Sequence, residues 1–177
     1  KDETYSYGCV MLYFDINKGD WGNFHSMIDD DDIYTKEGEN YGIENEPHVT
    51  ILYGLHDDIP DSKIERLINQ INVTKLVLKE ISIFENDDFD VVKFDIIGES
   101  KKKLSAMNGE FAKLPHTTNY PDYHPHSTIA YVKPGTGKKY IKTLTGDDII
   151  TVNPTQVAYS KADGSKIKYK LKNEYKS

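Results

Sequence analysis

Two short stretches of the chain carry a histidine and a threonine two residues apart. They read PHVTILYG at 47–54 and PHSTIAYV at 125–132, and they share Pro, His, Thr, Ile and Tyr at the same offsets. Both are rich in β-branched and aromatic residues, which indicates strands. Because alternate residues of a strand point to the same face, about 6 to 7 Å apart, the histidine and threonine of each stretch share a face, and Tyr53 and Tyr131 are expected on the opposite face.

If the two strands face each other across a cleft, His48, Thr50, His126 and Thr128 converge on one point. This set of groups suits the cleavage of a phosphate ester. An imidazole, with an ordinary pKa near 6.5, can accept a proton from the attacking oxygen, and a second, protonated imidazole can give one to the leaving oxygen. Threonine hydroxyls can donate hydrogen bonds to the phosphate oxygens as charge develops. The chemistry needs no metal and no other cofactor.

Each stretch alone has an ordinary explanation. Threonine favours strands by propensity, and a single buried histidine is usually a satisfied polar group of the core. The repeat changes the balance, because core packing has no need of two histidines at matching positions. The repeat therefore favours a catalytic role for both.

The elements that must position these residues also repeat. Each His-x-Thr stretch follows a helix and a loop, and the two are 78 residues apart. This arrangement predicts two similar lobes that face one another in a single domain over residues 1–177. The pattern predicts strands at 5–16, 75–84, 90–97 and 149–152, helices at 20–28, 60–71, 101–114 and 139–144, long loops at 29–46 and 117–125, and a hairpin at 156–171.

Composition sets the class of protein. The single cysteine, Cys9, rules out an intramolecular disulfide, and no stretch has the roughly 20 apolar residues of a membrane span. We therefore expect a soluble monomer of a reducing compartment such as the cytoplasm, with no membrane contact.

Charge is unevenly spread along the chain, although the net charge is only −7. Residues 1–88 hold 7 basic and 20 acidic side chains, for a net charge of −13, and residues 89–177 hold 15 and 9, for +6. The basic half could attract a polyanion while the acidic half repels a long one. We therefore expect short or cyclic substrates and no long duplex nucleic acid. The lysines considered for this attraction are Lys101, Lys102, Lys103, Lys133, Lys138 and Lys139, and Lys133 is the one assigned to substrate binding.

The chain has 13 tyrosines, and some could stack on bases. Tyr7 and Tyr13 fall on the more mixed face of the first strand. Tyr120 and Tyr123 fall in the loop before the second stretch. We predict that Tyr7, Tyr13 and Tyr123 bind substrate.

PHVTILYG and PHSTIAYV resemble the twin His-x-Thr signatures of the 2H phosphoesterases, the superfamily of the LigT-like RNA ligase/cyclic phosphodiesterase proteins. The resemblance implies a bilobed α+β fold, in which two antiparallel sheets flank a central cleft with helices outside. It also implies metal-independent cleavage of phosphodiesters near a ribose 2'-OH. Residue by residue, it assigns His48 and His126 as the acid/base pair and Thr50 and Thr128 as phosphate ligands.

A narrower resemblance concerns the substrate. YGCVMLYFDI and NEPHVTILYGL are similar to stand-alone bacteriophage members of this superfamily, some of which degrade cyclic oligonucleotide signals of host immunity. The likeness implies a nucleotide or a short or cyclic oligonucleotide as substrate and the host cytoplasm as location. Cleavage of 2',3'-cyclic nucleotides or 2'-5' oligoadenylates is the alternative within the same chemistry.

Two rival functions remain open from the residues. His116, His124 and His126 could hold a metal ion in a hydrolase, although this would leave the first His-x-Thr stretch unexplained. The chain could instead be a module that sequesters nucleotides without cleaving them. His25 and His56 are expected to be surface or capping groups.

Overall fold

The structure, a computed structural model, describes residues 7–118, 122–146 and 149–171. Tyr120 of the second loop lies outside these ranges. Within them the strands are β1 (Tyr7–Phe14), β2 (His48–His56), β3 (Leu76–Glu85), β4 (Asp90–Ile96), β5 (His126–Val132), β6 (Ile150–Val152), β7 (Pro154–Ser160) and β8 (Lys166–Lys170). The α-helices are α1 (Lys18–Ser26), α2 (Asp61–Ile68), α3 (Gly98–Phe111) and α4 (Lys138–Leu144), and Asp30–Asp32 forms a short 3-10 helix. In this described part of the chain, no helix is both long and apolar enough to cross a membrane.

Two antiparallel sheets of four strands carry the two His-x-Thr stretches. The first sheet has the order β2-β1-β7-β8 and the second the order β5-β4-β3-β6, so each stretch is the terminal strand of its sheet. β2 contacts β5, which brings the two stretches together. The predicted α+β fold, with two antiparallel sheets and helices packed outside them, is confirmed.

Alternation along β1 explains how one face of the first sheet is buried and the other is left for the cleft. Val10 and Leu12 are 0% exposed, whereas Cys9 and Met11, which alternate with them along the strand, are only half-buried. Apolar side chains on one face of a strand pack into the core, and the strand then presents the other face to the space between the sheets. The face predicted to be mixed is the one that β1 shares with His48 and Thr50.

The acidic and basic halves of the chain do not each form one sheet. The first sheet combines β1 and β2, from the acidic half of the chain, with β7 and β8 from the basic half. Both signs of charge therefore meet on one sheet. The sequence split does not correspond to one acidic and one basic lobe.

The predicted long loop at 29–46 is an ordered segment that lies along β5. Bridges join Ile33 to Val132 and Ile43 to Ala130. These contacts bury polar backbone groups of β5 that would otherwise be unpaired at the edge of the second sheet. We call residues 29–46 the strap.

The glycine that ends the first stretch is required by a close approach. Gly54 has φ of 110°, and a Cβ at this position would lie 2.0 Å from the carbonyl oxygen of Thr117. The chain at 115–117 pairs with the end of β2 through hydrogen bonds between Thr117 and Gly54 and between His56 and Pro115. Val132 occupies the matching position of the second stretch, where it forms a bridge with Ile33 of the strap.

Candidate active site

The two histidines are held in the same way. Nδ1 of His48 donates to the carbonyl oxygen of Glu46 at 2.8 Å, and Nδ1 of His126 donates to that of His124 at 2.8 Å. A carbonyl can only accept, so each bond places the proton of the neutral ring on Nδ1. Nε2 is then the nitrogen left for a substrate in both rings, as acceptor when neutral and as donor when protonated.

The proline shared by both stretches explains this match. Pro47 and Pro125 each lie between the histidine and the residue whose carbonyl accepts its proton. Proline has a fixed φ and restricts the residue before it to extended conformations. The same backbone path therefore precedes both histidines and turns the carbonyl two residues back toward the ring.

The shared isoleucine forms a bulge in both strands. On β2, Leu52 pairs with Val10 and Thr50 with Met11, so Ile51 has no partner. On β5, Ala130 pairs with Val92 and Thr128 with Lys93, so Ile129 has none. One extra residue in a strand shifts the side chains beyond it to the opposite face.

This bulge corrects the prediction for the shared tyrosine. Regular alternation would place Tyr53 on the buried face with Val49 and Ile51, but Tyr53 is 59% exposed and both of the others are 0% exposed. Tyr131 pairs with Val91, two residues from Lys93, and so lies on the same face as Thr128. Both tyrosines are therefore on the histidine face of their strands.

The two threonine hydroxyls already have protein neighbours in the cleft. Thr50 hydrogen-bonds the Cys9 thiol, and Thr128, which is 9% exposed, hydrogen-bonds Tyr131. Burial raises the pKa of Cys9 to about 12, so this cysteine stays a neutral thiol at physiological pH and is not a nucleophile. Each hydroxyl can still turn to donate to a phosphate oxygen.

His48 lies between an aromatic ring and a carboxylate. The ring of Tyr13 packs against it with a centroid distance of 5.5 Å, and Oε1 of Glu44 lies 3.9 Å from its Nδ1. When His48 is protonated, Glu44 is an opposite charge on the side away from the substrate. Glu44 is held there by the strap, which ends beside β2.

His126 has a basic neighbour instead. Nζ of Lys93 donates to Asp95 at 2.8 Å and to the hydroxyl of Ser82 at 2.6 Å, on the face of β4 that pairs with Thr128 and His126. Burial lowers the pKa of His126, and the charges of Lys93 and His48 lower it further, against the opposing effects of its bond to His124 and of Asp95. The two imidazoles therefore interact electrostatically.

The structure brings some of the other predicted residues to the pair. Tyr13 packs on His48 but is only 6% exposed, so little of its ring is free to stack on a base. The hydroxyl of Tyr123 donates to the backbone carbonyl of Thr50 at 2.8 Å, which ties the second loop to the first stretch. These contacts favour a positioning role for both tyrosines.

Two predicted residues lie elsewhere. Lys133 follows the end of β5 that is opposite to His126, roughly 20 Å away at the rise of a strand. Tyr7 pairs with His56 at the far end of β2, where it contacts Tyr53. Neither side chain is brought to the histidine pair, because each lies about one strand length from the histidine of its own sheet.

The remaining histidines have structural contacts. Among the described residues, no group of three or more His, Cys, Asp or Glu side chains is arranged to hold a metal ion. His116 contacts the carbonyl of Leu114, and His124 precedes β5, as expected. His25 is not a surface group: its Nε2 bonds the carbonyl of Ile129.

Sequence reasoning missed the residues around the pair. Glu44 gave no signal because it lies in the strap, and Lys93 gave none because the Ser82 hydroxyl and the His-x-Thr stretch that it faces lie on other strands. Lys166, Lys168 and Lys170 on β8 did carry a signal, since KIKYK alternates strictly and places all three lysines on one face.

A groove of about 530 Å³ opens beside His48 and does not enclose the pair. Its walls are the ends of β1 and β7, helix α1 and residues 45–47, and they include Tyr13, Glu46 and Gln156. Because Tyr13 and Glu46 both contact His48, the groove adjoins the cleft on the side of the first sheet.

The fold matches solved structures at low sequence identity. A structure of Kluyveromyces marxianus Usb1 aligns with a TM-score of 0.58 and 9% identity, over 94% of this chain and 99% of that one. A structure of the same protein with uridine monophosphate aligns with a TM-score of 0.59 and 10% identity, over the same shares. No protein-family model matches the sequence, and no curated protein does. The likeness therefore concerns the fold.

Proposed function

We propose that the protein is a metal-independent phosphodiesterase of the 2H type, which cleaves a nucleotide or a short or cyclic oligonucleotide. The observation that carries the proposal is the duplicated geometry of His48 and His126. Both rings are fixed through Nδ1 to a backbone carbonyl, and a threonine lies two residues further along each strand. A pair of oriented imidazoles with nearby hydroxyl donors suits a reaction in which one proton is removed from the nucleophile and another is given to the leaving oxygen.

The surroundings assign different roles to the two histidines. Burial and Lys93 lower the pKa of His126, so the neutral ring is favoured and Nε2 can act as the base. His48 has Glu44 3.9 Å from Nδ1, so its protonated form has a partner and Nε2–H can act as the acid. In this proposal Glu44 and Lys93 act on the histidines through their charges.

The reaction with a ribose 2'-OH balances as follows. Nε2 of His126 takes the proton of the 2'-hydroxyl, and the 2'-oxygen forms a bond to phosphorus. The bond from phosphorus to the 5'-oxygen of the next nucleotide breaks, and Nε2–H of His48 gives its proton to that oxygen. The products are a 2',3'-cyclic phosphate and a free 5'-hydroxyl. Thr50 and Thr128 donate to the phosphate oxygens on which charge develops. With a 2',3'-cyclic phosphate as substrate, water replaces the 2'-hydroxyl as nucleophile and gives its proton to one histidine; one ring P–O bond breaks, and the other histidine protonates the ribose oxygen that leaves.

The comparison supports a nucleotide as the ligand. One structure of Usb1 with the same fold was solved with uridine monophosphate. The likeness of the sequence to bacteriophage proteins adds cyclic oligonucleotides, as signals of host immunity, to the substrates worth testing. Both are phosphate esters of ribose, so the same two-histidine chemistry serves either.

Product analysis of a substrate panel tests the proposal. The panel holds cyclic di- and trinucleotides, linear 3'-5' and 2'-5' oligoadenylates, and 2',3'-cyclic mononucleotides, each incubated with and without EDTA. We expect cleavage of at least one class, unchanged by EDTA. Activity that EDTA abolishes and zinc or manganese restores would contradict the metal-free mechanism. Recovery of every nucleotide intact, with measurable binding, would make the protein a sequestering module.

A further inference from the structure

The exposed lysines of β8 lie on the same face of the first sheet as the His-x-Thr stretch. The pairing of strands gives the rows directly. Lys170 pairs with Gln156, which pairs with Tyr13, which pairs with His48. Paired residues of neighbouring antiparallel strands project to the same side of a sheet. A row of side chains therefore leads from His48 across the sheet to Lys170.

A second, parallel row leads to Thr50. Lys168 pairs with Ala158, Ala158 with Met11, and Met11 with Thr50. Three strand spacings separate the ends of the row, or roughly 14 Å between backbones. Ala158, which is 0% exposed, and the half-buried Met11 lie between them, and the flexible lysine side chain can extend over part of this distance toward the cleft.

Tyr13 draws two of these lysines toward His48. Nζ of Lys166 donates to the hydroxyl of Tyr13 at 3.3 Å, and the amines of Lys166 and Lys168 both lie 5.9 Å from the centroid of its ring. The ring of Tyr13 packs on His48. Both ammonium groups therefore lie near the aromatic ring that packs on His48.

These lysines differ in their charge partners from other lysines near the cleft and the sheet ends. Lys93, Lys138, Lys139 and Lys161 form ion pairs with Asp95, Glu85, Asp32 and Asp61. In the part of the chain that the structure describes, Lys166, Lys168 and Lys170 form no ion pair, although the charges of Glu46 and Glu44 act on Lys166. Among these residues, Lys93 beside His126 has a carboxylate partner, whereas the three lysines of β8 on the first sheet have none.

The groove beside His48 supplies space for a further group. Tyr13 and Gln156, the middle residues of the first row, line it. A nucleotide attached to the one being cleaved could enter the groove and bring its own phosphate to the lysines. Asn45 and Gln156, also in its lining, offer amide groups to a base.

We propose that Lys166 and Lys168, gathered by Tyr13, form a second phosphate subsite on the first sheet, which binds a phosphate other than the one being cleaved. The proposal rests on the proposed function and narrows it. The preferred substrate is an oligonucleotide, or a nucleotide with an additional phosphate, and is not a bare dinucleoside monophosphate. Two ammonium groups gathered at one place are suited to such an anion.

Binding to non-cleavable ligands tests the subsite. The probes are the 2'-O-methyl dinucleotide UpU without a terminal phosphate, with a 5'-phosphate and with a 3'-phosphate, titrated into the wild-type protein by calorimetry. We expect one of the two terminal phosphates to tighten binding by roughly tenfold, since two lysines each add a modest exposed ion pair. Replacing both lysines, Lys166→Ala with Lys168→Ala, should abolish this advantage and leave the affinity for bare UpU unchanged.

Lys102→Ala is the matched control, because it removes one exposed lysine from α3, outside the cleft. It should keep the advantage. If the advantage persists in the double variant, or if neither terminal phosphate tightens binding, the subsite is overturned, and the lysines serve only to keep the edge strand β8 from pairing with other chains. Absence of binding to every probe would instead count against the proposed function as well.

Discussion

The first and second sheets carry the same five residues, Pro, His, Thr, Ile and Tyr, in different surroundings. In both, the proline orients the carbonyl that holds the histidine, and the isoleucine bulge brings the tyrosine to the histidine face. What differs is charge. His48 has Glu44 behind it, whereas His126 is more enclosed and has Lys93 beside it. The two histidines have the same geometry but neighbours of opposite charge. In our proposal, this difference lets a duplicated motif supply both an acid and a base.

The largest effects should come from deleting either imidazole. His48→Ala and His126→Ala should each reduce kcat by about 100- to 10,000-fold, because each removes one of the two proton transfers. Steady-state kinetics on the best substrate of the panel measures this. His124→Ala is the control, since His124 contributes its backbone carbonyl and not its side chain. A loss in His124→Ala as large as that in His126→Ala would contradict the comparison.

The threonines should have the next largest effects. Thr50→Val and Thr128→Val keep the shape of the side chain and delete the hydroxyl, so kcat should fall by about 10- to 100-fold with little change in fold, as for the loss of one donor to a developing charge. Thr151→Val, at an exposed position of β6 and away from the cleft, is the control. If the two site variants behave like this control, the hydroxyls do not contact the phosphate.

Lys93 should set the pH at which the base loses its function. A base must be unprotonated, so activity falls as pH falls through the pKa of His126. Lys93→Met removes a charge that lowers this pKa and leaves Asp95 without its ion-pair partner, so the acidic limb of the kcat/KM profile should move to higher pH. Asp95→Asn should move the limb the other way. Shifts of both variants in one direction would rule out this electrostatic account.

A smaller effect should separate the two stretches in stability. Ser127 is 0% exposed, and its hydroxyl has no hydrogen-bond partner among the described residues, whereas the matching position of the first stretch holds Val49. Ser127→Ala should therefore raise the free energy of unfolding by about 1 kcal/mol, measured by urea denaturation. Ser82→Ala is the matched comparison, because its hydroxyl bonds both Lys93 and Asp95, and it should be destabilising by a similar amount. Equal and same-signed effects would show that the Ser127 hydroxyl is satisfied.

Periodicity was enough to predict most of the fold. The alternating and helical patterns predicted the strands and helices within a few residues, as for α2, which was expected at 60–71 and runs from Asp61 to Ile68. The repeat predicted two facing lobes, and the resemblance to the 2H phosphoesterases implied two antiparallel sheets. The repeat could not predict that β7 and β8 join the first sheet, because strand pairing depends on contacts distant in sequence.

The sequence named the residues at the centre of the candidate site but not those around them. The types and spacing of His48, Thr50, His126 and Thr128 carry a chemical signal, but a bulge has no reliable local signal, so Tyr53 and Tyr131 were expected on the wrong face. Lys133 was chosen for its charge near the second stretch. His126 is the first residue of β5 and Lys133 follows the last, so closeness in sequence did not bring this charge to the histidine.

A substrate with an activated leaving group tests the division of labour most directly. Uridine 3'-(4-nitrophenyl phosphate) releases 4-nitrophenolate, which departs without a proton, so cleavage needs the base and not the acid. The account predicts that His48→Ala, strongly impaired on a dinucleotide, recovers to near the wild-type rate on this substrate, while His126→Ala stays impaired on both. Recovery of His126→Ala with continued impairment of His48→Ala would contradict the assignment of base and acid.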